Sequence, residues 1–289
     1  MPICVPLTAC HAAPIIIGMA GMHSCTIIEN SPFCADVRRL VFESPDLAAA
    51  LRPGQFMMLR CGGGTLLRRP FCASDADSAE GTATILYKVR GKGTMQLSHM
   101  PEGGELDVMG PLGNGFRIDG FADGSMKRAA IIGGGIGAFP LLFLARELRQ
   151  ACGAVADVWL GFRDVRSARV ADSFIGHADR LRVTSDDGSI GAIGTVTDAF
   201  AADLAEADPP AVGPLGRYDA VFACGPEPML KSVQGICAER ELDAQLCVEQ
   251  RMACGIGACF VCSCADARGG YRRVCKDGPV FSSKDIIFP

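Results

Sequence analysis

The sequence predicts a multidomain β plus α/β protein: an antiparallel β-barrel, then a parallel α/β unit, then a small C-terminal domain built round cysteines. Three observations predict it. Short strand-like segments separated by Gly, Pro, Ser and Asp run from about Ser24, the pattern of an antiparallel sheet or small barrel. Beyond Gly110-Pro111-Leu112-Gly113-Asn114-Gly115 the texture changes to apolar strands alternating with helices, which favours a parallel sheet. Near the end, Cys254, Cys259, Cys262 and Cys275 fall within one short segment. The expected units are residues 1–23, a leader of unknown role, then 24–124, 125–246 and 247–289.

In the first unit, strands are expected at Cys25–Glu29, Val37–Glu43, Gln55–Arg60, Thr84–Val89 and Glu105–Met109. Two stretches carry more arginine and glycine than strand packing requires. In Arg68-Arg69-Pro70-Phe71-Cys72, an arginine beside a proline at a strand end can present its planar fork to a phosphate; a solvated basic turn is the plainer reading. In Leu86-Tyr87-Lys88-Val89-Arg90-Gly91-Lys92-Gly93-Thr94, a strand enters a glycine-rich turn and then a short helix, Met95–His99, whose first amides suit an anion. Tyr87 is a candidate to stack on a flat ring. Together the two stretches suggest a dinucleotide lying across strands.

In the second unit, Ala129–Ile132 reads as a buried strand, Gly133-Gly134-Gly135-Ile136-Gly137 as a tight turn, and Pro140–Gln150 as a helix whose Leu141, Leu144, Ala145 and Leu148 share a face. Gly133, Gly135 and Ala138 satisfy G-x-G-x-x-A, the turn that lets a diphosphate approach the backbone. Further strands are expected at Val155–Gly161, Arg180–Thr184 and Tyr218–Ala223. The second of the βα strands ends at Gly161-Phe162-Arg163 without the acid that would bind an adenine ribose, Asp164 coming too late; Arg163 suits a 2′-phosphate or is a plain surface charge. Cys224-Gly225-Pro226 follows the last long strand, where ligands bind in open α/β sheets, and Cys224 is a candidate catalytic group there or a buried thiol.

The cysteine segment reads Cys254-Gly255-Ile256-Gly257-Ala258-Cys259-Phe260-Val261-Cys262, with Cys275 on a short return. This is the plant-type spacing for a [2Fe–2S] cluster. Such a cluster needs two pairs of thiolates and backbone amides close to its sulfurs, and Gly255 and Gly257 allow that approach. The alternative is zinc, but only Cys259 and Cys262 form the C-x2-C pair typical of zinc knuckles. Cys264 fits no place in the spacing.

Composition agrees with an intracellular carrier. Fifteen cysteines are about 5% of 289 residues and odd in number, below the level of a disulfide scaffold, so the remainder read as buried thiols in a reducing, cytoplasmic setting. The net charge of −4 comes from interspersed charges with no basic face for nucleic acid. No Lys or Arg precedes Arg38, so a signal peptide's positive start is missing. The patch Ile15-Ile16-Ile17 is too short to cross a membrane. His11, His23, His99 and His177 share no metal-like spacing.

In order along the chain, Arg69-Pro70-Phe71-Cys72, Gly93-Thr94, Gly133–Gly137, Cys224-Gly225-Pro226 and the segment Glu249 to Phe281 resemble the ferredoxin–NAD(P) reductase superfamily. Within it, they resemble the electron-transfer subunits of type B dihydroorotate dehydrogenases, from about Ser24 to the C-terminus. The resemblance implies an FAD-binding barrel, a nicotinamide-binding α/β domain and a ferredoxin-like cluster domain. It implies FAD held by Arg69, Pro70, Phe71, Cys72, Leu86, Tyr87, Lys88, Gly93 and Thr94. It implies NAD at Gly133, Gly134, Gly135, Ile136, Gly137, Cys224, Gly225 and Pro226, and the cluster on Cys254, Cys259, Cys262 and Cys275. The implied partner is an FMN-containing dihydroorotate dehydrogenase catalytic subunit, in a heterotetramer with two copies of each chain. Electrons from dihydroorotate would then pass through the [2Fe–2S] cluster and FAD to NAD in pyrimidine (UMP) biosynthesis. One departure stands out: the family usually has Ser or Thr where Cys72 stands, and a thiol is the weaker donor. The alternatives are a reductase subunit for a hydrogenase, a sulfide or ferredoxin–NADP oxidoreductase or an oxygenase, and, from another class, a zinc-stabilised interaction module.

Overall fold

The computed structural model describes residues 21–206 and 218–289; most of the expected leader lies outside them. The first unit comprises β1 (Gly21–Cys34), β2 (Val37–Glu43), α1 (Pro45–Ala50), β3 (Phe56–Leu59), β4 (Arg69–Cys72), β5 (Asp75–Asp77), β6 (Thr82–Lys88), α2 (Lys92–Ser98) and β7 (Glu105–Leu112). These seven strands form one antiparallel sheet in the order β4-β3-β7-β1-β2-β6-β5. The sheet curls into a half-barrel. Its two edge strands run into each other through Ala73 and Ser74, whose amides donate to Gln55 at 3.3 Å and Thr84 at 2.8 Å. Strand β7 shows why the curl holds: Leu106, Val108 and Leu112 are buried on alternate positions, as a half-buried strand requires.

Strand β1 begins at Gly21, inside the stretch expected to be leader, because Gly21, Met22 and His23 pair with Gly110, Met109 and Val108. Strand β3 is buried on both faces. Met57 and Leu59 point into the barrel core, whereas Phe56 and Met58 face a second core shared with the C-terminal segment. That strand is the wall common to the two.

A short helix, α3 (Asp119–Ala122), leads into the second unit: β8 (Arg128–Gly134), α4 (Ala138–Arg146), β9 (Val155–Phe162), β10 (Arg180–Ser185), β11 (Ala192–Ile193), α5 (Val196–Glu206), β12 (Ala220–Cys224), α6 (Glu227–Glu239) and β13 (Ala244–Cys247). The expected helix Pro140–Gln150 starts two residues earlier and ends in a wider π-helical turn, Glu147–Ala151. Pro140 is tolerated because it falls in the first turn, where its missing N–H costs no helix bond. The sheet order is β11-β10-β9-β8-β12-β13 with one further strand from the C-terminal segment, Val280–Ser282, beyond β13, and it is parallel except for that last pair. The centre of β8 and all of β12 are buried, giving the continuous apolar runs of a sheet covered on both faces.

The C-terminal segment adds β14 (Ser263–Asp266), β15 (Gly270–Arg273), α7 (Val274–Asp277), β16 (Val280–Ser282) and β17 (Ile286–Ile287). A three-stranded sheet, β15-β14-β17, stands apart, but β16 lies antiparallel on β13 as the edge of the α/β sheet. The cysteine segment is thereby fastened to the α/β unit rather than hung from it.

Candidate functional site

Between β13 and β14 the cysteine loop has no regular structure, so its shape rests on glycine and on hydrogen bonds to sulfur. Gly255 and Gly257 have φ of 72° and 81°, conformations that cost a residue with a Cβ. A Cβ on Gly255 would lie 2.7 Å from Cγ of Met58, and one on Gly257 would lie 2.7 Å from Cδ of Lys276. The loop is thus pressed against β3 on one side and α7 on the other. Two thiol pairs result. Cys254 and Cys259 are hydrogen-bonded to each other, as are Cys262 and Cys275. The amide of Gly257 donates to Sγ of Cys275 at 3.1 Å, and the amide of Cys275 to Sγ of Cys262 at 3.4 Å.

The loop favours thiolates unequally. Burial alone would raise Cys254, but amides of Ile256, Cys259 and Ala258, with the Cys259 thiol, outweigh it and hold the group at about 6. Cys275 is pushed up to about 12 by burial and then by the adjoining Cys262 thiol. Among the described residues, no three His, Cys, Asp or Glu side chains converge on one ion position. Two pairs lined by amides match the donor set of a dinuclear iron–sulfur cluster. Cys264 sits on β14 outside both pairs, opposite Arg272.

The arginine-proline strand and the glycine turn meet across the barrel. Arg69 on β4 lies along Gly93 at the start of α2, where a Cβ would come within 3.1 Å of its Nε. Its neighbour Arg68 is spent on Asp107 at 2.6 Å, whereas Arg69 has no carboxylate partner among the described residues and donates to the Leu67 carbonyl at 2.6 Å. Thr94 Oγ1 accepts from the amides of Arg90 at 2.9 Å and Gly91 at 3.1 Å, fixing the turn. A fork whose charge no carboxylate among the described residues answers, lying over a glycine, fits a phosphate.

Tyr87 does not do what the sequence suggested. Its ring is only 2% exposed, lies edge-on beneath Phe71 at 5.8 Å, and its hydroxyl donates to Asn30 at 3.0 Å. Burial pushes that phenol up to about 12. No face is presented for stacking; half-buried Phe71 is the outer ring. Leu86 is buried, and Lys88 is paired with Asp36 at 2.8 Å, so the side chains of Leu86, Tyr87 and Lys88 are all engaged within the protein.

In the α/β sheet the chain leaves β8 outward to β9, β10 and β11, then returns to the other side of β8 with β12. The carboxyl ends of β8 and β12 therefore flank the topological switch point, where such sheets bind ligands. Gly133–Gly137 and Cys224-Gly225-Pro226 both lie there. A Cβ on Gly137 would be 2.2 Å from the Cys224 carbonyl, and one on Gly134 2.9 Å from Pro226, so the two turns are in contact. Arg163 follows the end of β9 and is exposed, and Asp164 accepts from the Ser167 amide at 3.0 Å, which commits it to a local turn.

Cys247 had no sequence signal, because its role depends on strand register. It lies opposite Cys224 in the pairing of β12 with β13. Its thiol is hydrogen-bonded to both Cys224 and Cys72, so a row of three thiols joins the arginine-proline strand to the switch point. Cys72 is held well above the ordinary thiol range by its bond to Cys247 and by burial. Burial keeps Cys224 raised despite its bond to Cys247. Nearby Glu249 is raised by burial, with Arg90 opposing.

A curled antiparallel sheet with a phosphate-type fork, a parallel sheet open at its switch point and a paired-thiol loop define an FAD- and iron–sulfur-dependent oxidoreductase of ferredoxin-reductase-like fold. The sequence agrees. Residues 24–116 match the model of the oxidoreductase FAD-binding domain, and residues 249–287 that of the iron–sulfur cluster binding domain of dihydroorotate dehydrogenase B. The chain is 39% identical over 265 residues, covering 91% of it and 97% of the relative, to the dihydroorotate dehydrogenase B (NAD(+)) electron transfer subunit of Caldanaerobacter subterraneus. It is 38% identical to that of Clostridium acetobutylicum, over 82% of this chain and 87% of the relative. The solved structure of an NADH-dependent reduced ferredoxin–NADP oxidoreductase superposes with a TM-score of 0.77 at 30% identity, over 93% of this chain and 91% of the other. A ferredoxin reductase of carbazole 1,9a-dioxygenase, at 20% identity, a TM-score of 0.61 and coverage of 75% and 65%, shares the fold. The chain belongs to the family of dihydroorotate dehydrogenase B (NAD(+)) electron transfer subunits. Among the described residues, no helix is long and apolar enough to cross a membrane.

Proposed function

We propose that this chain carries electrons from dihydroorotate, oxidised at FMN on a partner catalytic subunit, to NAD in UMP biosynthesis, as a cytoplasmic complex of two copies of each subunit. The observation that supports it most is the pairing of Cys254 with Cys259 and of Cys262 with Cys275 on a loop packed against Met58 of the barrel wall. Bound together, a [2Fe–2S] cluster takes single electrons and FAD exchanges one or two, which joins one-electron transfer to hydride transfer.

The chain's own residues place and tune these groups. Arg69 and the Gly93-Thr94 turn hold the FAD phosphates, with Pro70, Phe71 and Cys72 along its edge and Leu86, Tyr87 and Lys88 contributing main chain. Gly133–Gly137 and Cys224-Gly225-Pro226 seat the nicotinamide dinucleotide at the switch point. Amides around Gly257 stabilise charge on the cluster sulfurs. Ile256, Phe260 and Val261, each more than half exposed, form the docking face for the catalytic subunit. The FAD unit occupies 24–124, the nicotinamide unit 125–246 and the cluster unit 247–289.

The test is NADH oxidation with an artificial acceptor, with and without the catalytic subunit and dihydroorotate. NADH formation from dihydroorotate only when both chains are present supports the reading. A second reading rests on the 0.77 TM-score neighbour: reduction of the chain by ferredoxin, with no response to dihydroorotate, would favour it.

A further inference from the structure

Two adjacent arginines on β15 point to opposite faces, as neighbours on a strand must. Arg272 turns away from the cysteine loop: it is bound to Asp266 at 2.6 Å and lies 3.6 Å from Asp285. Arg273 turns toward it and ties Gly257 and Phe260 of the loop to Asp277 of α7. Its Nη1 donates to the carbonyl of Gly257 at 3.1 Å. Its Nε and Nη2 approach Asp277 at 3.2 and 3.4 Å, and the Asp277 carboxylate also accepts from the Arg273 amide at 2.8 Å. Its guanidinium carbon lies 5.1 Å from the centre of the Phe260 ring. Phe260 itself has φ of 57° and is 60% exposed, so the ring is held outward on a strained backbone with a cation beneath it.

Resting on the cluster reading above, we propose that Arg273 is a positioning residue that sets the electron affinity of the Cys262–Cys275 side of the cluster and links it to the docking face. Two effects act in the same direction. Holding the Gly257 carbonyl fixes the Gly257–Ala258 peptide and so pins one side of the Gly257 α-carbon, whose φ of 81° aims the preceding peptide's N–H, that of Gly257, at Cys275 Sγ; such bonds favour the more negative, reduced state. The guanidinium is also a positive charge whose field reaches the Cys275 and Cys262 sulfurs, and its side chain is only 24% exposed, so water screens it incompletely. Asp277 offsets part of that charge while keeping the fork in place. A subunit that covers Phe260 also removes water from Arg273, which strengthens the charge's effect.

The experiment uses the full chain loaded with FAD and cluster, as wild type, R273Q and R273K, with iron, sulfide and EPR spin counted before redox titration. R273Q is expected to lower the cluster midpoint by about tenfold in reduction equilibrium, about 59 mV for one electron. R273K keeps the charge but not the fork and is expected between the two. With the dihydroorotate-oxidising subunit bound, the wild-type to R273Q gap is expected to widen. A wild-type midpoint in fully loaded R273Q overturns the assignment. If R273Q loads poorly, R273K decides, and a midpoint at or above wild type overturns it equally. An unchanged gap on docking removes the link to the partner. Absence of cluster from wild type would instead defeat the cluster reading itself, a separate failure visible in the iron count.

Discussion

The amide of Gly257 donates to Sγ of Cys275 across 3.1 Å, joining residues 18 positions apart on the two limbs of the cysteine loop. That bond exists only because Gly257 takes a φ of 81° and lets Lys276 cross directly over its α-carbon. Backbone shape, sulfur environment and cluster chemistry are one feature here.

Gly257→Ala meets both constraints at once. An alanine forced into left-handed backbone costs about 1–3 kcal/mol, and its Cβ would collide with Lys276. The expected outcome is lower thermal stability and reduced cluster occupancy with FAD still bound, read by melting and by visible absorbance.

Exchange of any one of Cys254, Cys259, Cys262 or Cys275 for Ser is expected to abolish the cluster spectrum. Cys264→Ser is expected to leave it unchanged, since that thiol belongs to neither pair. Iron content and EPR of the five variants check this.

Arg69→Ala removes a fork that has no carboxylate partner among the described residues, so the fold should survive. Charge-assisted hydrogen bonds contribute about 1.5–3 kcal/mol, which weakens FAD binding by roughly tenfold to more than a hundredfold. Fluorescence titration of the flavin-free chain measures it; unaltered affinity would remove Arg69 from the flavin site.

Cys72→Ser replaces a thiol tied to Cys247 by a stronger donor. FAD is expected to bind tighter by about 0.5–1.5 kcal/mol, and Cys247→Ser, which leaves Cys72 in place, should not reproduce the gain.

Before cluster loading, alkylation should follow the thiol environments. Cys254, held at about 6, is largely thiolate at pH 7 and should react well ahead of Cys275, pushed up to about 12. The linkage has a sign. A thiol whose folded pKa is depressed contributes stability that is fully present above its unfolded value, about 8.5, and lost as pH falls through about 6. Cluster-free protein should therefore lose stability on acidification across that window. Mass spectrometry of timed alkylation, with melting curves across the window, tests both.

Local pattern carried much of this in the sequence. Val37–Glu43 forms the strand its composition predicts, and the half-barrel, parallel sheet and cysteine loop follow in the expected order. What could not be read depends on register and on contacts between units. Cys247 joins Cys72 to Cys224 only because β13 lies beside β12 in one alignment. Tyr87 looked like a stacking ring because a strand end rich in arginine and glycine suggests a ligand, yet Phe71 covers it. Nothing local in Val280–Ser282 says that it completes the α/β sheet.

The most direct measurement is the iron and acid-labile sulfide content of anaerobically prepared chain, taken with its EPR spectrum after reduction. The account predicts iron and sulfide in equal amounts, matching one [2Fe–2S] cluster per chain, with a signal lost in each of the four serine variants. A colourless chain carrying zinc and no sulfide would contradict it.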